Sequence, residues 1–231
     1  MTLIYRAITT LFYPIIILLI YYRKLIGKED VDRYKEKIFS SNFKVVKKDK
    51  SKLIWFHAAS IGELKSIIPI IIQLNKYYDG LDFLVTSITL SSSNIAKEEF
   101  RHMENVYHRF FPIDEYFNIK RFLSSWEPKA IFLVDSEIWP NLILCARNKK
   151  IPLILINARI TKKSYRRWGI VSNFAKEIFF SFDLCLSSNE ETTKYLKELN
   201  AKNVINTGNL KLISNVNDQK IKDKNFDILK N

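Results

Sequence analysis

From residue 53 onward, short apolar runs alternate with stretches of helical periodicity, and this alternation constrains the fold more than any other feature. The runs are rich in Ile, Val, Leu and Phe and apolar on both faces, as buried parallel strands are. They predict strands at 53–58, 83–87, 106–110, 130–134, 152–156, 184–187 and 204–206. Helices are predicted near 63–78, 92–103, 115–125, 140–149, 170–180 and 190–200. The chain is therefore expected to be an α/β protein with a doubly wound parallel sheet, which binds ligands at the carboxyl ends of its strands.

An apolar segment precedes this pattern. Residues 3–22 are apolar except for Arg6 and a few hydroxyl side chains, which is about the length that spans a bilayer core. Arg6 and Pro14 also suit a shallow, monotopic anchor. A cleaved signal peptide is disfavoured, because no small-residue cleavage site follows Tyr22. We predict a membrane-anchor helix over residues 1–26; the alternative is an amphipathic helix packed on the domain itself.

The net charge of +13 is unevenly distributed. Residues 1–52 hold 12 Lys and Arg against five Asp and Glu, more than half of the excess. By the positive-inside rule, a basic juxtamembrane segment over 27–52 keeps the following domain, 53–211, in the cytoplasm at the inner membrane. Anionic lipid and nucleic acid are both possible partners of a basic chain. The adjacent apolar segment favours lipid, and since no reading helix or aromatic stacking platform is visible, no nucleic-acid partner is expected.

The cysteines and histidines suggest no metal chemistry. Cys145 falls in a helical pattern and Cys185 in a strand pattern, so both are predicted to be small, buried core residues. The three histidines show no spacing suited to a metal site. We expect neither a metal nor a cofactor.

Two strand ends carry acidic residues. After the first strand comes His57-Ala-Ala-Ser60-Ile-Gly62-Glu63, where Gly62 allows close approach of the backbone to a ligand and the helix N-terminus offers free N–H groups. Glu63 is either an acid/base residue or a carboxylate that stabilises the helix through its dipole. After the fourth strand come Asp135 and Glu137, followed by Trp139-Pro140, with the proline suited to a first helical turn. These acids either perform acid/base work and hold hydroxyls, or one of them caps the helix.

Two further strand ends carry basic residues. Asn157-Ala-Arg159 is followed by Lys162, Lys163, Arg166 and Arg167, which suits a phosphorylated ligand or else a solvated helix face. Thr207-Gly-Asn-Leu-Lys211 follows the last strand, and its lysine either meets developing negative charge or begins a linker over 212–231.

Taken in order, these turns resemble one family, the 3-deoxy-D-manno-octulosonic acid (Kdo) transferases of lipid A assembly. The resemblance covers about 200 residues and rests on several motifs together. They are the N-terminal anchor, His57–Glu63, Thr86–Ser93, Asp135–Asn141 with its acid-x-Glu-x-Trp-Pro-Asn form, Ile151-Pro152 with Asn157-Ala158-Arg159, Asn189-Glu190-Glu191 and Gly208-Asn209-Leu210-Lys211.

The resemblance implies the N-terminal, acceptor-binding half of a GT-B glycosyltransferase, in which two Rossmann-like domains face each other across a cleft. Such enzymes transfer Kdo from CMP-Kdo to the tetraacyl, bisphosphorylated lipid A precursor, with inversion and without a bound metal. By resemblance, Glu63 is the general base, and Asp135 and Lys211 stabilise the transition state. Ser60, Gly62, Glu137, Asn157 and Arg159 are the expected substrate-binding residues, and the basic residues from Arg159 to Arg167 are candidates for the acceptor phosphates.

The chain departs from the family pattern in three ways. Asp135 stands where the family usually has Glu, and Leu90-Ser91-Ser92 where it has Pro-Thr-Gly. The family's C-terminal donor-binding domain is absent from this sequence, so a single half is expected to be inactive without it. We therefore expect either a half-enzyme that works with a complementary chain or, as the alternative, a membrane-tethered, non-catalytic remnant that binds glycolipid.

Overall fold

The computed structural model describes residues 1–43, 45 and 51–210, and within them the chain forms seven strands and eight α-helices. The strands are β1 Lys52–His57, β2 Leu81–Ser87, β3 Val106–Phe110, β4 Ala130–Val134, β5 Leu153–Ala158, β6 Leu184–Ser187 and β7 Val204–Asn206. The helices are α1 Thr2–Leu25, α2 Ile61–Tyr77, α3 Leu90–Glu99, α4 Tyr116–Trp126, α5 Pro140–Asn148, α6 Lys162–Ile170, α7 Ser172–Phe180 and α8 Glu190–Glu198. Two 3₁₀ turns, Tyr34–Lys37 and Ser40–Asn42, lie between α1 and β1. Lys211 and the predicted linker 212–231 lie outside the described residues.

The strands form one parallel sheet in the order β3-β2-β1-β4-β5-β6-β7. The direction in which strands are added reverses between β1 and β4, and doubly wound sheets bind ligands where this reversal occurs. The predicted doubly wound sheet is confirmed, with all seven strands at the predicted places. The turns after β1, β4 and β5 are consequently neighbours at one edge.

Two apolar cores cover the two faces of the sheet, because successive side chains of a strand point in opposite directions. Trp55 of β1 packs in the larger core, to which α4, α5, α7 and α8 contribute. Its neighbour Phe56 packs in the second core, against residues of α2 and α3. Both residues are fully buried, as apolar runs with no polar face predict. Cys145 and Cys185 are free and buried, as predicted.

Within the described part of the chain, α6 is the one α-helix that the periodicity did not predict, since the predicted helix began only near residue 170. Thr161 caps α6 by accepting a hydrogen bond from the Ser164 N–H, at 3.2 Å. None of its residues is buried. Only Tyr165 and Trp168 of α6 pack against the larger core, and two aromatic residues among four basic ones give too weak an apolar pattern to detect.

Helix α1 lies along the domain. Its N-terminal half makes polar contacts with it, among them a 3.0 Å hydrogen bond from the Tyr5 hydroxyl to Asp114 and a 2.8 Å bond from Thr10 to Glu115. The opposite side is apolar and exposed, with Leu11 at 74% and Leu18 at 68% exposure. By length and composition alone, α1 is also long and apolar enough to cross a membrane. It therefore combines domain packing with an uncovered apolar face.

Candidate active site

Glu63 lies in the first turn of α2, directly after β1. Ser60 is the N-cap, and its hydroxyl oxygen accepts a hydrogen bond from the Glu63 N–H at 3.3 Å. The Glu63 carboxylate in turn accepts bonds from the Ser60 hydroxyl at 2.7 Å and the Ala59 N–H at 2.8 Å. This is a capping box, a reciprocal arrangement typical of Ser-x-x-Glu sequences. Gly62 lies in the same turn and is exposed.

The surroundings of Glu63 favour its protonated form. Burial raises the pKa of this carboxyl above its ordinary value, and repulsion from the carboxylates of Glu137 and Asp135 raises it further. The two capping hydrogen bonds act in the opposite direction but do not cancel the effect. Three acidic residues from two strand ends therefore lie close enough to interact, and a carboxyl with a raised pKa suits proton transfer near neutral pH.

Glu137 is held by two aromatic side chains. The Trp139 indole N–H donates to the Glu137 carboxylate at 2.8 Å, and Nε2 of His57 lies 3.3 Å from the same oxygen. The other ring nitrogen of His57 lies 2.9 Å from the Thr86 hydroxyl, and the ring stacks on Phe111 at 3.9 Å. His57 is fully buried. This chain of contacts fixes the orientation of the Glu137 carboxylate.

The acids after β4 are not used to cap α5. Pro140 occupies the first turn, as predicted, and Trp139 is an N-cap without a side-chain hydrogen bond. Instead, Asp114 accepts the backbone N–H groups of Asn141 at 3.0 Å and Leu142 at 2.9 Å. The capping alternative for these acids is therefore wrong, because an acid from the loop before α4 takes that role.

The turns after β4 and β5 are held in an uncommon backbone conformation. Asp135 has φ 60° and Asn157 has φ 50°, which is unusual for residues with side chains. Asn157 lies where the register between β5 and β6 shifts, and its side-chain oxygen accepts the Leu210 N–H at 3.0 Å. Left-handed residues cluster at functional sites, where the surrounding structure holds them in place.

A polar cavity of about 270 Å³ opens beside these turns. Asp135, Asn157 and Arg159 line it together with Ser188, Asn189 and Asn209. All six carry hydrogen-bonding side chains, which suits a hydroxylated or charged ligand. The cluster Lys162, Lys163, Arg166 and Arg167 lies on α6, where all four residues are exposed.

The structure thus gathers the predicted site residues into two adjacent groups. Glu63, Ser60 and Gly62 lie with Glu137 at the turns after β1 and β4, and Asp135, Asn157 and Arg159 line the polar cavity. Lys211 lies outside the described residues. Within residues 1–43, 45 and 51–210, no group of three His, Cys, Asp or Glu residues is arranged to hold a metal ion.

Three side chains with roles at this site were not recognised from sequence: His57, Trp139 and Asp114. His57 belongs to the motif His57–Glu63 and Trp139 to the motif Asp135–Asn141, but the sequence assigns neither of them a contact. Glu137, the partner of both His57 and Trp139, lies 80 residues from the first and two from the second. The one feature of the sequence that points to a role for His57 is its position at the end of a strand.

A parallel sheet in this strand order, with polar turns at its switch point, defines a Rossmann-like unit, the fold that the resemblance predicts for one half of a GT-B glycosyltransferase. Among solved structures, UDP-GlcNAc 2-epimerase from Neisseria meningitidis bound to UDP-GlcNAc is similar, with a TM-score of 0.53 and 17% identity over 74% of this chain and 50% of that chain. A second UDP-N-acetylglucosamine 2-epimerase gives a TM-score of 0.52 and 16% identity over 73% and 48%. At these identities the likeness establishes the fold alone.

Residues 32–214 match the family model of 3-deoxy-D-manno-octulosonic acid transferase, and the chain belongs to this Kdo transferase family. The 3-deoxy-D-manno-octulosonic acid transferase of Rickettsia bellii is 34% identical over 90% of this chain and 48% of its own length. The probable mitochondrial enzyme of Arabidopsis thaliana is 39% identical over 72% of this chain and 36% of its own. The Haemophilus influenzae transferase is 32% identical over 72% and 39%. The chain therefore spans half or less of the length of these relatives.

Proposed function

We propose that this chain is the acceptor-binding half of an enzyme that transfers Kdo from CMP-Kdo to the lipid A precursor at the cytoplasmic face of the inner membrane. Family membership supports the reaction class. The observation that carries the proposal is the convergence of Glu63, Asp135 and Glu137 at one sheet edge, with the pKa of Glu63 raised by burial and by its two neighbours. Because the match covers about half of the relatives, CMP-Kdo binding is assigned to a second, C-terminal domain.

In this mechanism Glu63 is the general base. It accepts the proton of an acceptor hydroxyl as that oxygen bonds to the anomeric carbon of Kdo. The bond from this carbon to the phosphate oxygen of CMP breaks, and CMP leaves with the electron pair. Asp135 and Lys211 are assigned to transition-state stabilisation, and Ser60, Gly62, Glu137, Asn157 and Arg159 to substrate binding. The contacts of Glu137 with His57 and Trp139 support a positioning role for both partners.

We further propose that α1 attaches the domain to the membrane while lying in the plane of the interface. The polar contacts of its N-terminal half with the domain support this orientation, as does the exposed apolar side. A helix with one apolar and one polar side suits the boundary between headgroups and acyl chains.

The function is tested with the full chain in vesicles, CMP-Kdo, the tetraacyl lipid A precursor and a separately produced C-terminal half of the Rickettsia bellii relative. We expect Kdo transfer only when all components are present. Glu63→Gln is expected to lower the rate by about 10²–10⁴-fold, the usual contribution of a general base. Glu99→Gln, which removes an exposed carboxylate at the C-terminal end of α3, serves as the matched control. Full turnover by Glu63→Gln shows that the base assignment is wrong.

One observation favours a second candidate, a membrane-tethered module that binds glycolipid without catalysis. Both carboxylate oxygens of Glu63 already accept capping hydrogen bonds, so this residue has a structural role without any substrate. Binding of the lipid A precursor without transfer, whichever C-terminal half is supplied, identifies this second function.

A further inference from the structure

An apolar cavity of about 290 Å³ lies between the C-terminal half of α1 and the carboxyl edge of the sheet. Its apolar walls come from α1, from the segments after β2 and β3, and from the residue before α5. They are Ile20, Ile88, Phe111, Ile113 and Trp139. We call this space the α1 cavity. Cavities with mostly apolar walls and a few charged groups are typical of ligand sites.

One side of the α1 cavity is charged. Glu29 contacts two cations there, the Arg23 guanidinium at 2.7 Å and the ammonium group of Lys37. With Asp114, two carboxylates and two cations line the cavity, so its formal charges balance. Lys37 is buried, whereas the Arg23 side chain is 40% exposed and open to an anion. Asp114 also lines the cavity, but its carboxylate accepts the N–H groups of α5.

The α1 cavity connects two surfaces already described. Ile20 and Arg23 lie one turn apart on α1, and the neighbouring Leu18 and Leu19 belong to its exposed apolar side. On the other side, Trp139 donates its indole N–H to Glu137. The cavity thus lies between the proposed membrane face and the carboxylate cluster.

We propose that the α1 cavity binds an acyl chain of the glycolipid acceptor, with the acceptor's anionic headgroup at Arg23. The proposal rests on the proposed function, in which the acceptor is an acylated phospho-sugar. The apolar walls match a hydrocarbon chain, the partly exposed Arg23 guanidinium matches a phosphate, and the exposed side of α1 supplies the route from the bilayer. The anchor helix is therefore also one wall of the acceptor site.

The test uses 11-bromoundecanoic acid, whose bromine quenches nearby tryptophan fluorescence, added to the full chain in unbrominated vesicles. We expect saturable quenching that disappears in Trp139→Phe and is strongly reduced in Ile88→Phe, which fills the cavity. Leu18→Phe, an equal enlargement on the exposed side, is the matched control and retains the quenching. The unlabelled tetraacyl lipid A precursor is expected to relieve the quenching, and phosphatidylglycerol of matched chain length is not.

A second variant keeps the test decisive if Ile88→Phe fails to fold. Arg23→Gln removes the exposed cation and is expected to weaken bromoundecanoate binding roughly two- to fivefold, as for a partly exposed ion pair, without affecting neutral bromoundecanol. Quenching that persists in Trp139→Phe, or equal competition by phosphatidylglycerol, overturns the proposal. If transfer depends on Glu63 but Trp139 is not quenched, the cavity proposal is wrong and the transferase proposal stands. If Trp139 is quenched but no Kdo is transferred, the transferase proposal is wrong and the cavity proposal stands.

Discussion

Each acidic residue at the site has a distinct environment, and this determines what it can do. Glu63 is buried and serves as both a capping residue and the proposed base, whereas Glu137 is fixed by His57 and Trp139. Asp135 is placed by a left-handed backbone that side chains rarely adopt. The proposed base role suits Glu63, because burial raises the pKa of its carboxyl and repulsion from the two neighbouring carboxylates raises it further.

This electrostatic coupling predicts the pH dependence of transfer. The base must be ionised, so activity rises with pH through the raised pKa of Glu63. That pKa is raised first by burial and then by the charges of Glu137 and Asp135. Glu137→Gln removes one of those charges, so the acidic limb of the pH–rate profile is expected to move to lower pH, even though the maximal rate falls. The profile is measured with the C-terminal half supplied, and an unmoved limb contradicts the coupling.

At the scale of elements, Asp114 connects three helices. It lies in the loop before α4, accepts two N–H groups at the start of α5 and receives the Tyr5 hydroxyl from α1. Burial raises its pKa from 3.8 to about 6, although these hydrogen bonds oppose the shift. Its contribution to stability is therefore complete below pH 3.8 and is lost as pH rises through about 6.

The stability consequence is measurable by urea unfolding. From pH 4 to pH 7 the free energy of unfolding of the wild type is expected to fall by up to about 3 kcal/mol more than that of Asp114→Asn, which cannot ionise at this position. Tyr5→Phe removes a hydrogen bond that lowers this pKa, so it is expected to move the loss to higher pH. An identical pH dependence in wild type and Asp114→Asn excludes an ionisable cap.

The sequence predicted the elements with buried faces and missed contacts between distant residues. All seven strands were predicted because their runs are rich in Ile, Val, Leu and Phe. Helix α6 was missed because it is mostly polar and basic and none of its residues is fully buried. The sequence predicted a doubly wound sheet but not the order of its strands. That prediction was enough to place Glu63, Asp135 and Glu137 at one edge of the sheet. That Asp114 caps α5 was not predictable, because its partners lie 27 and 28 residues further along the chain.

For the whole molecule, the question is whether α1 crosses the membrane or lies on it. Its 24 residues reach far enough to cross a bilayer core. Crossing, however, requires breaking the contacts of Tyr5 and Thr10 with the domain, at roughly 0.5–1.5 kcal/mol per hydrogen bond. It also brings Arg6, in the first turns of α1, to the edge of the hydrocarbon, where the cost is below the roughly 2.5–3.5 kcal/mol of an arginine at the bilayer centre. Lying in the interface keeps the contacts and still covers the exposed leucines.

We therefore expect membrane binding through the leucine side of α1. The double variant Leu11→Asn with Leu18→Asn removes two exposed apolar side chains and is expected to weaken vesicle binding about 100-fold or more, at roughly 1.5 kcal/mol or more per side chain. Ile72→Asn, at a 45%-exposed position on α2 on the other face of the sheet, is the matched control. Depth is read from Leu3→Trp and Leu18→Trp with lipids brominated at different positions along their acyl chains. Equal, shallow depths support the in-plane helix, and a deep Leu18→Trp beside a shallow Leu3→Trp identifies a spanning one.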